Sequence, residues 1–261
     1  MNELDARHAI VEIGKRMYAK GFVAANDGNL SIRLSDHEIM ITPSGVSKGF
    51  MSPSDMLIVD LEGNVKSGHL KPSSEMKMHL MVYKSRSDVM GVCHAHPQIA
   101  TAFAVARKVC DKIALPEVIF SIGRVALSEY ATPSTNEVPE SIKDIIKTAD
   151  AVLLANHGAL TVGKDIYDAY YKMETLEHYA SIILYARLLG GEQGLTPQQV
   201  SELLRVRRDV FGKNDFGYLG DGYCGGRDID TAAGNPKNDS ANEDELVRTI
   251  TQAVIARLGI R

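Results

Sequence analysis

The chain of 261 residues is 44% hydrophobic and 24% charged, a composition typical of a globular protein with a sizeable core. Its formal net charge of -4 and pI of about 6.1 argue against a nucleic-acid binder, which would carry a basic stripe. No apolar run approaches the roughly 18 residues of a membrane span, no secretory signal is evident and the three cysteines are scattered, so we expect a cytoplasmic protein that binds neither membrane nor nucleic acid.

The first third of the chain alternates apolar elements with turns of small polar residues. Apolar side chains at helical spacing predict a helix over residues 4–20, which Gly21 ends. A strand is predicted at residues 38–41, and another follows the Asp-Gly turn at residues 27–28. The turns rich in Gly, Ser, Thr and Asn lie at residues 25–29, 42–45 and 71–75.

These three turns offer backbone N–H groups and hydroxyls to a ligand. Ser73 and Ser74 precede a predicted helix, whose N-terminal dipole favours an anion. Each turn alone is common in ordinary loops, but the three together predict an anion site. The expected ligand is a phosphate. No Walker A or Rossmann glycine pattern occurs, so a nucleotide is not implied.

Glu75 directly follows the two serines. A glutamate in the first turn of a helix ordinarily complements the helix dipole, and that interpretation stays open. Its place beside the predicted anion loops and ahead of a pair of histidines makes it a candidate general base.

Two histidines end the apolar run at residues 88–93. Successive side chains of a strand alternate faces, so His94 and His96 point the same way and offer two ligands to a divalent metal. A second apolar run, at residues 151–160, is interpreted as a strand that ends in His157. A lone histidine at a strand end is more often structural, but here it would complete a site of three histidines with an open fourth position.

The second half of the chain continues the alternation of strands and helices. The pattern predicts a strand-rich stretch over residues 112–128, a short helix over 141–148, a long amphipathic helix over 165–189 and a helix over 197–211.

The composition changes at residue 212. Glycines and polar residues without apolar periodicity predict a flexible linker over residues 212–241. Acids in the first turn and an apolar stripe at i, i+3, i+4, i+7 spacing then predict an amphipathic helix over residues 242–261. A short isolated helix is marginal in water, so we expect it to fold onto a partner.

Five short motifs, in consistent order and spacing, resemble the class II aldolase/adducin family, and within it the pattern of the fuculose-phosphate aldolases. The motifs are Asp27-Gly28-Asn29, Thr42-Pro43-Ser44-Gly45, Ser73-Ser74-Glu75, His94-Ala95-His96 and Asn156-His157-Gly158. The resemblance covers about residues 1–211, which are expected to form one catalytic domain. It implies a three-layer α/β/α fold around a mainly antiparallel sheet, and a homotetramer with active sites at subunit interfaces.

The resemblance also implies roles for individual residues. It assigns a zinc ion (Zn²⁺) to His94, His96 and His157, and the part of catalytic acid/base to Glu75. The implied phosphate-binding positions are Gly28, Asn29, Ser44, Gly45, Ser73 and Ser74. Such an enzyme cleaves a ketose 1-phosphate, such as L-fuculose or L-rhamnulose 1-phosphate, to dihydroxyacetone phosphate and an aldehyde such as lactaldehyde. Because Glu75 would then shuttle a proton, its pKa is expected to be raised.

The sequence departs from the aldolase pattern at two places. Phe120 stands where these aldolases place a tyrosine that serves the aldehyde, and Tyr218 or Tyr223 would have to supply the aromatic residue of the tail. A pentulose-5-phosphate 4-epimerase, a methylthioribulose-phosphate dehydratase and a non-catalytic adducin-type scaffold stay open as alternatives. The retention of three histidines and Glu75 argues against the scaffold.

The tail resembles another kind of segment. A linker followed by a terminal amphipathic helix is similar to the encapsulation peptides of bacterial microcompartment cargo enzymes. The resemblance implies shell proteins as partners of residues 242–261 and the lumen of a microcompartment as a location.

Overall fold

The computed structural model describes residues 1–109, 113–210 and 212. The strands in this part of the chain are β1 (Asn29–Arg33), β2 (Glu38–Ile41), β3 (Leu57–Asp60), β4 (Val65–Ser67), β5 (Gly91–Ala95), β6 (Val125–Ser128), β7 (Ala151–Leu154) and β8 (Gly158–Gly163). Its α-helices are α1 (Glu3–Ala19), α2 (Met76–Ser85), α3 (Gln98–Val105), α4 (Pro116–Ser121), α5 (Glu137–Ile142), α6 (Ile166–Leu188) and α7 (Pro197–Asp209).

All eight strands join one sheet in the order β4-β3-β2-β1-β5-β8-β7-β6. Every neighbouring pair is antiparallel except β6 and β7, which run parallel. The predicted central, mainly antiparallel sheet is therefore confirmed. Strands β1, β5 and β8 lie side by side in its middle, where the motifs with Asn29 and the histidines are found.

Helices cover both faces of the sheet and give the predicted three layers. Helices α1, α3 and α6 pack on one face, and α2 and α5 pack on the other. The side chains of β5 alternate between the two layers: Cys93 and Ala95 pack toward α6, and Val92 packs toward α2. His94 therefore lies on the α2 face, which is the face that carries Glu75.

Two predicted elements were wrong in part. The segment predicted as strand-rich holds α4 as well as β6, because Pro116 begins a helix whose Val118 and Ile119 are buried. The apolar run at 151–160 is a hairpin of two strands rather than one strand, so His157 lies in the turn between β7 and β8.

The other helices agree with the sequence to within a few residues at each end. The predicted short helix at 141–148 begins earlier, as α5, and ends in a 3-10 turn at Ile145–Lys147. None of the described helices is long and apolar enough to cross a membrane. The predicted linker beyond residue 212, the helix over 242–261 and the two tail tyrosines lie outside the described residues.

Candidate active site

The hairpin of β7 and β8 carries His157 to the end of β5. In the antiparallel register, Ala95 of β5 pairs with Ala159 of β8, so the residues just beyond this pair come together. Gly158 makes the approach possible, because a Cβ atom there would lie 2.4 Å from Cδ2 of His96 and 2.6 Å from the carbonyl oxygen of Ala95. Asn156 takes the left-handed conformation of the turn, with φ of 56°, which asparagine tolerates.

The three predicted histidines form one cluster. Nε2 of His96 lies 3.2 Å from Nε2 of His94, and one nitrogen of each of the three rings lies within 4.8 Å of the others. The ring centroids of His157 and His94 are 4.8 Å apart. The structure brings the three histidines together, and their arrangement is consistent with a divalent metal site.

The orientation of His94 suits a metal ligand. Its Nδ1 donates a hydrogen bond to the carbonyl oxygen of Ala159 over 2.9 Å, so Nε2 is the ring nitrogen that would ligate a metal ion when the ring is neutral. That nitrogen faces Nε2 of His96 and the carboxylate of Glu75. Three converging imidazoles beside a carboxylate are a donor set that suits zinc or a similar divalent ion, so the residues fit the zinc that the sequence resemblance implied.

Glu75 completes the cluster. Its Oε2 lies 3.0 Å from Nε2 of His94, and its Oε1 lies 3.1 Å from Nε2 of His157. The same Oε2 accepts a hydrogen bond from Nδ2 of Asn29 over 2.9 Å. Just before α2, the backbone N–H of Glu75 donates to Oγ of Ser73, and this contact helps to hold the backbone of Glu75 in place.

The pKa of Glu75 moves in the direction opposite to the expected one. Burial raises this pKa, but the charges and hydrogen bonds of His94 and His157 outweigh burial and lower it below the usual range of a glutamate. Glu75 is therefore a carboxylate at neutral pH, which is the form that a general base needs.

The histidines respond to the same charges. Burial lowers the pKa of His94, and the Glu75 carboxylate outweighs this and raises it. Burial, together with the neighbouring imidazoles, lowers the pKa of His96 to about 4. The Nδ1 atom of His96 lies 3.5 Å from Oδ2 of Asp27, a carboxylate that the sequence did not single out.

Two of the three predicted anion loops lie side by side. The backbone N–H of Ser44 donates to the carbonyl oxygen of Lys71, and that of Ser73 donates to the carbonyl oxygen of Thr42. Ser44, Gly45 and Ser74 are exposed, so the two hydroxyls and the backbone of Gly45 can face a ligand. The assignment of a phosphate to these loops stays a prediction.

The remaining turn enters β1. Gly28 has a φ of 73°, and a Cβ there would lie 3.0 Å from the carbonyl oxygen of His94. Asn29 pairs with His94 across β1 and β5, and its amide contacts Glu75 rather than lying open beside the two loops. Phe120 lies in α4 and packs against an apolar cluster that includes residues of α7.

Sequence reasoning missed two residues near the site. His79 is fully buried and follows Glu75 by four residues, so the helical spacing of α2 could have revealed it. Lys48 is also buried, and its Nζ donates to the carbonyl oxygens of Asn26 and Val46. Asn26 lies in the predicted turn at residues 25–29 and Val46 directly follows the one at 42–45, so Lys48 links the two turns. The sequence did not predict these contacts, because a lysine among polar residues is ordinarily exposed.

Residues 8–184 match the family model described as Class II Aldolase and Adducin N-terminal domain. The chain belongs to the class II aldolase and adducin family. A family member from Methanococcus maripaludis, named L-fuculose phosphate aldolase, is 37% identical over 172 residues, which are 66% of this chain and 92% of the relative.

Other relatives carry different names. A Haemophilus influenzae protein named 3-oxo-tetronate 4-phosphate decarboxylase is 31% identical over 208 residues, which are 78% of this chain and 98% of the relative. A solved structure of an L-fuculose 1-phosphate aldolase superposes with a TM-score of 0.70 at 31% identity, covering 76% of this chain and 94% of that one. The fold and the family agree, and the reactions named within the family differ.

Proposed function

We propose that the chain is a zinc-dependent aldolase that cleaves a ketose 1-phosphate, of the L-fuculose or L-rhamnulose 1-phosphate type, to dihydroxyacetone phosphate and an aldehyde such as lactaldehyde. The observation that carries the proposal is the convergence of His94, His96 and His157 on the Glu75 carboxylate. Relatives named L-fuculose phosphate aldolase support the same substrate class.

Retro-aldol cleavage breaks the bond between C3 and C4 of the ketose. The C4 hydroxyl gives its proton to water and becomes the aldehyde, and the electron pair of the broken bond moves toward the C2 carbonyl. A divalent metal held by the three histidines supplies, when bound, Lewis-acid stabilisation of the negative charge that develops on the carbonyl oxygen.

Glu75 handles the proton at C3. As a carboxylate it can remove that proton in the aldol direction, and in the cleavage direction the protonated side chain returns it to the same carbon. Its oxygens lie 3.0 and 3.1 Å from two of the metal-ligating imidazoles, so base and carbonyl would be held close together.

The two paired loops are proposed to hold the phosphate. The exposed groups of Ser44, Gly45 and Ser74, with the N-terminus of α2 beside them, offer neutral donors to an anion. Anchoring the phosphate would fix where the reacting bond lies relative to the histidines and Glu75, and so contributes to orientation rather than to chemistry.

A second candidate is the decarboxylation of a 3-oxo acid phosphate, because the Haemophilus influenzae relative carries that name. In 3-oxo-tetronate 4-phosphate, as in a ketose 1-phosphate, the phosphorylated carbon adjoins the carbonyl carbon. Both reactions then break the bond one carbon beyond the carbonyl and leave negative charge on its oxygen. The same histidines, carboxylate and loops would serve either reaction.

A substrate panel separates these reactions. We expect the zinc-loaded protein to release dihydroxyacetone phosphate from fuculose, rhamnulose or ribulose 1-phosphate, measured by coupled reduction with NADH. Release of CO₂ from 3-oxo-tetronate 4-phosphate alone would select decarboxylation. Turnover of a pentulose 5-phosphate or of methylthioribulose 1-phosphate alone would select the epimerase or the dehydratase, and no turnover would favour an adducin-type scaffold.

The matched variant for this panel is Glu75→Gln, which keeps the size and one acceptor oxygen of the side chain but removes the base. We expect its rate of cleavage to fall by about 10²–10⁴-fold, the usual contribution of a positioned general base. Zinc content, measured in parallel, separates loss of the base from loss of the metal. Unchanged cleavage in Glu75→Gln would refute the aldolase mechanism.

The assembly is proposed from the family resemblance and the sequence. The chain forms a homotetramer, which light scattering on the purified protein tests.

The segment 242–261 targets the chain to a microcompartment shell, and a fluorescent reporter fused to residues 240–261 should gather in compartments. Diffuse fluorescence in cells that form compartments would refute the targeting role.

A further inference from the structure

A buried chain of hydrogen bonds runs from Glu75 into the protein. Asn29 contacts Glu75 through Nδ2 and contacts His79 through Oδ1, which lies 2.5 Å from Nε2 of the imidazole. Nδ1 of His79 lies 2.6 Å from Oγ of Ser31, and this hydroxyl lies 2.9 Å from the hydroxyl of Tyr83. The four residues behind Glu75 are all buried, so solvent does not compete for these contacts.

Two elements of secondary structure build this chain. Glu75, His79 and Tyr83 follow one another at intervals of four residues along α2 and so share one face of the helix. Asn29 and Ser31 are alternate residues of β1 and share the face of the strand that α2 covers. The contacts therefore follow from the packing of one helix face on one strand face.

The protons of the chain can point in one direction only. A carboxylate accepts hydrogen bonds, so Nδ2 of Asn29 donates and its Oδ1 must accept from Nε2–H of His79. Nδ1 of a neutral His79 then accepts from the hydroxyl of Ser31, which accepts from Tyr83. Burial lowers the pKa of His79 to about 3, which agrees with a neutral ring at physiological pH.

We propose that His79 is a positioning residue that fixes the orientation of the Asn29 amide, so that its N–H, and not its carbonyl oxygen, faces Glu75. With the amide reversed, Oδ1 would lie against a carboxylate oxygen, which repels it. His79 prevents this reversal because its Nε2–H requires an acceptor on the other side of the amide. The inference rests on the proposed role of Glu75 as the acid/base.

This role predicts a specific kinetic signature. The Asn29 donor holds the Glu75 oxygen that also faces His94, so losing it displaces the base rather than the bound phosphate. We expect His79→Phe, which lacks a donor, to lower kcat by about 10–100-fold while KM changes by less than about threefold. His79→Gln carries an N–H of similar reach and should restore most of kcat.

Two further variants separate positioning from general damage. In an Asn29→Ala background, His79→Phe should cause little further loss, because both substitutions remove the same contact to Glu75. His178→Phe makes the same change at an exposed position of α6 and should leave kcat unchanged. Additive losses, or a rise in KM with constant kcat, would overturn the positioning role.

A spectroscopic measurement tests the inference without any variant having to be active. Solid-state ¹⁵N NMR of the zinc-loaded full-length chain, with labelled histidine, should show at pH 7 a neutral imidazole protonated at Nε2 that is missing from His79→Gln. A charged ring, or one protonated at Nδ1, would overturn the proposal. If wild-type protein cleaves no sugar phosphate, the proposed function fails, and the spectrum still decides the state of His79.

Discussion

At the scale of single residues, the site is a balance between buried charges. The Glu75 carboxylate lies between two imidazoles and a side-chain amide, and the imidazoles lower its pKa and keep it ionised although it is largely buried. His79, two contacts away, stays neutral because burial penalises its charged form. Glu75 is therefore charged, whereas His79, on the other side of Asn29, is neutral.

The neutral state of His79 predicts how stability depends on pH. Its pKa is about 3 in the folded chain and about 6.5 in an unfolded one. Between these values the unfolded chain binds a proton that the folded chain does not. The free energy of unfolding is therefore highest above pH 6.5, as far as His79 is concerned, and it falls as the pH falls toward 3. His79→Gln should lower the slope of the free energy of unfolding against pH by up to ~1.4 kcal/mol per pH unit, which corresponds to about one proton.

Urea unfolding of metal-depleted protein between pH 7.5 and pH 4.5 measures this effect, with His178→Gln as the control at an exposed position. The wild type and the control should lose stability more steeply with falling pH than His79→Gln does. Equal slopes in all three proteins would show that His79 is not held neutral.

At this scale, the sequence predicted the reactive residues better than their supports. The His-x-His pair and the glutamate after two serines were found because their types and spacing suggest chemistry. His79 could have been found from its interval of four to Glu75, since both lie on one face of α2. Lys48 could not, because its partners are backbone carbonyl oxygens of distant loops, which no side-chain pattern encodes.

At the scale of secondary structure, the site depends on how closely β8 follows β5. The turn at Asn156 and the glycine after it let the hairpin place His157 beside the pair on β5. The sequence suggested a strand end, because an unbroken apolar run gives no sign of where a chain reverses. The turn itself contains Asn156 and Gly158, the residue types that tight turns favour, so the reversal is explained in retrospect.

Gly158→Ala tests this packing. The added Cβ would lie 2.4 Å from Cδ2 of His96 and 2.6 Å from the carbonyl oxygen of Ala95, so the ring or the strand must move. We expect the affinity for zinc to fall by about 10–100-fold, as it does when supports of metal ligands are disturbed. Competition with a chromophoric chelator measures the affinity, and an unchanged far-UV circular dichroism spectrum shows that the loss is local. Wild-type affinity in this variant would contradict the described approach of β8 to His96.

At the scale of the whole molecule, the fold brings residues from distant parts of the sequence to the centre of one sheet. Five motifs in fixed order predicted the mainly antiparallel sheet, because the motifs belong to a family with that fold. Local pattern reasoning failed at α4, where the β-branched residues Val118 and Ile119 suggest a strand but are buried on a helix that Pro116 begins. The assembly and the tail remain predictions from sequence.

The proposed activity requires a metal ion at the three histidines. Titration of metal-depleted full-length protein with zinc, while cleavage of a ketose 1-phosphate is followed, tests it most directly. We predict no cleavage without metal and a linear rise in rate that ends at one zinc per chain, since a single site of three imidazoles lies beside Glu75 in the described residues. Full activity of the metal-depleted protein, or a rate that does not level off at one zinc per chain, would contradict the proposed metal site.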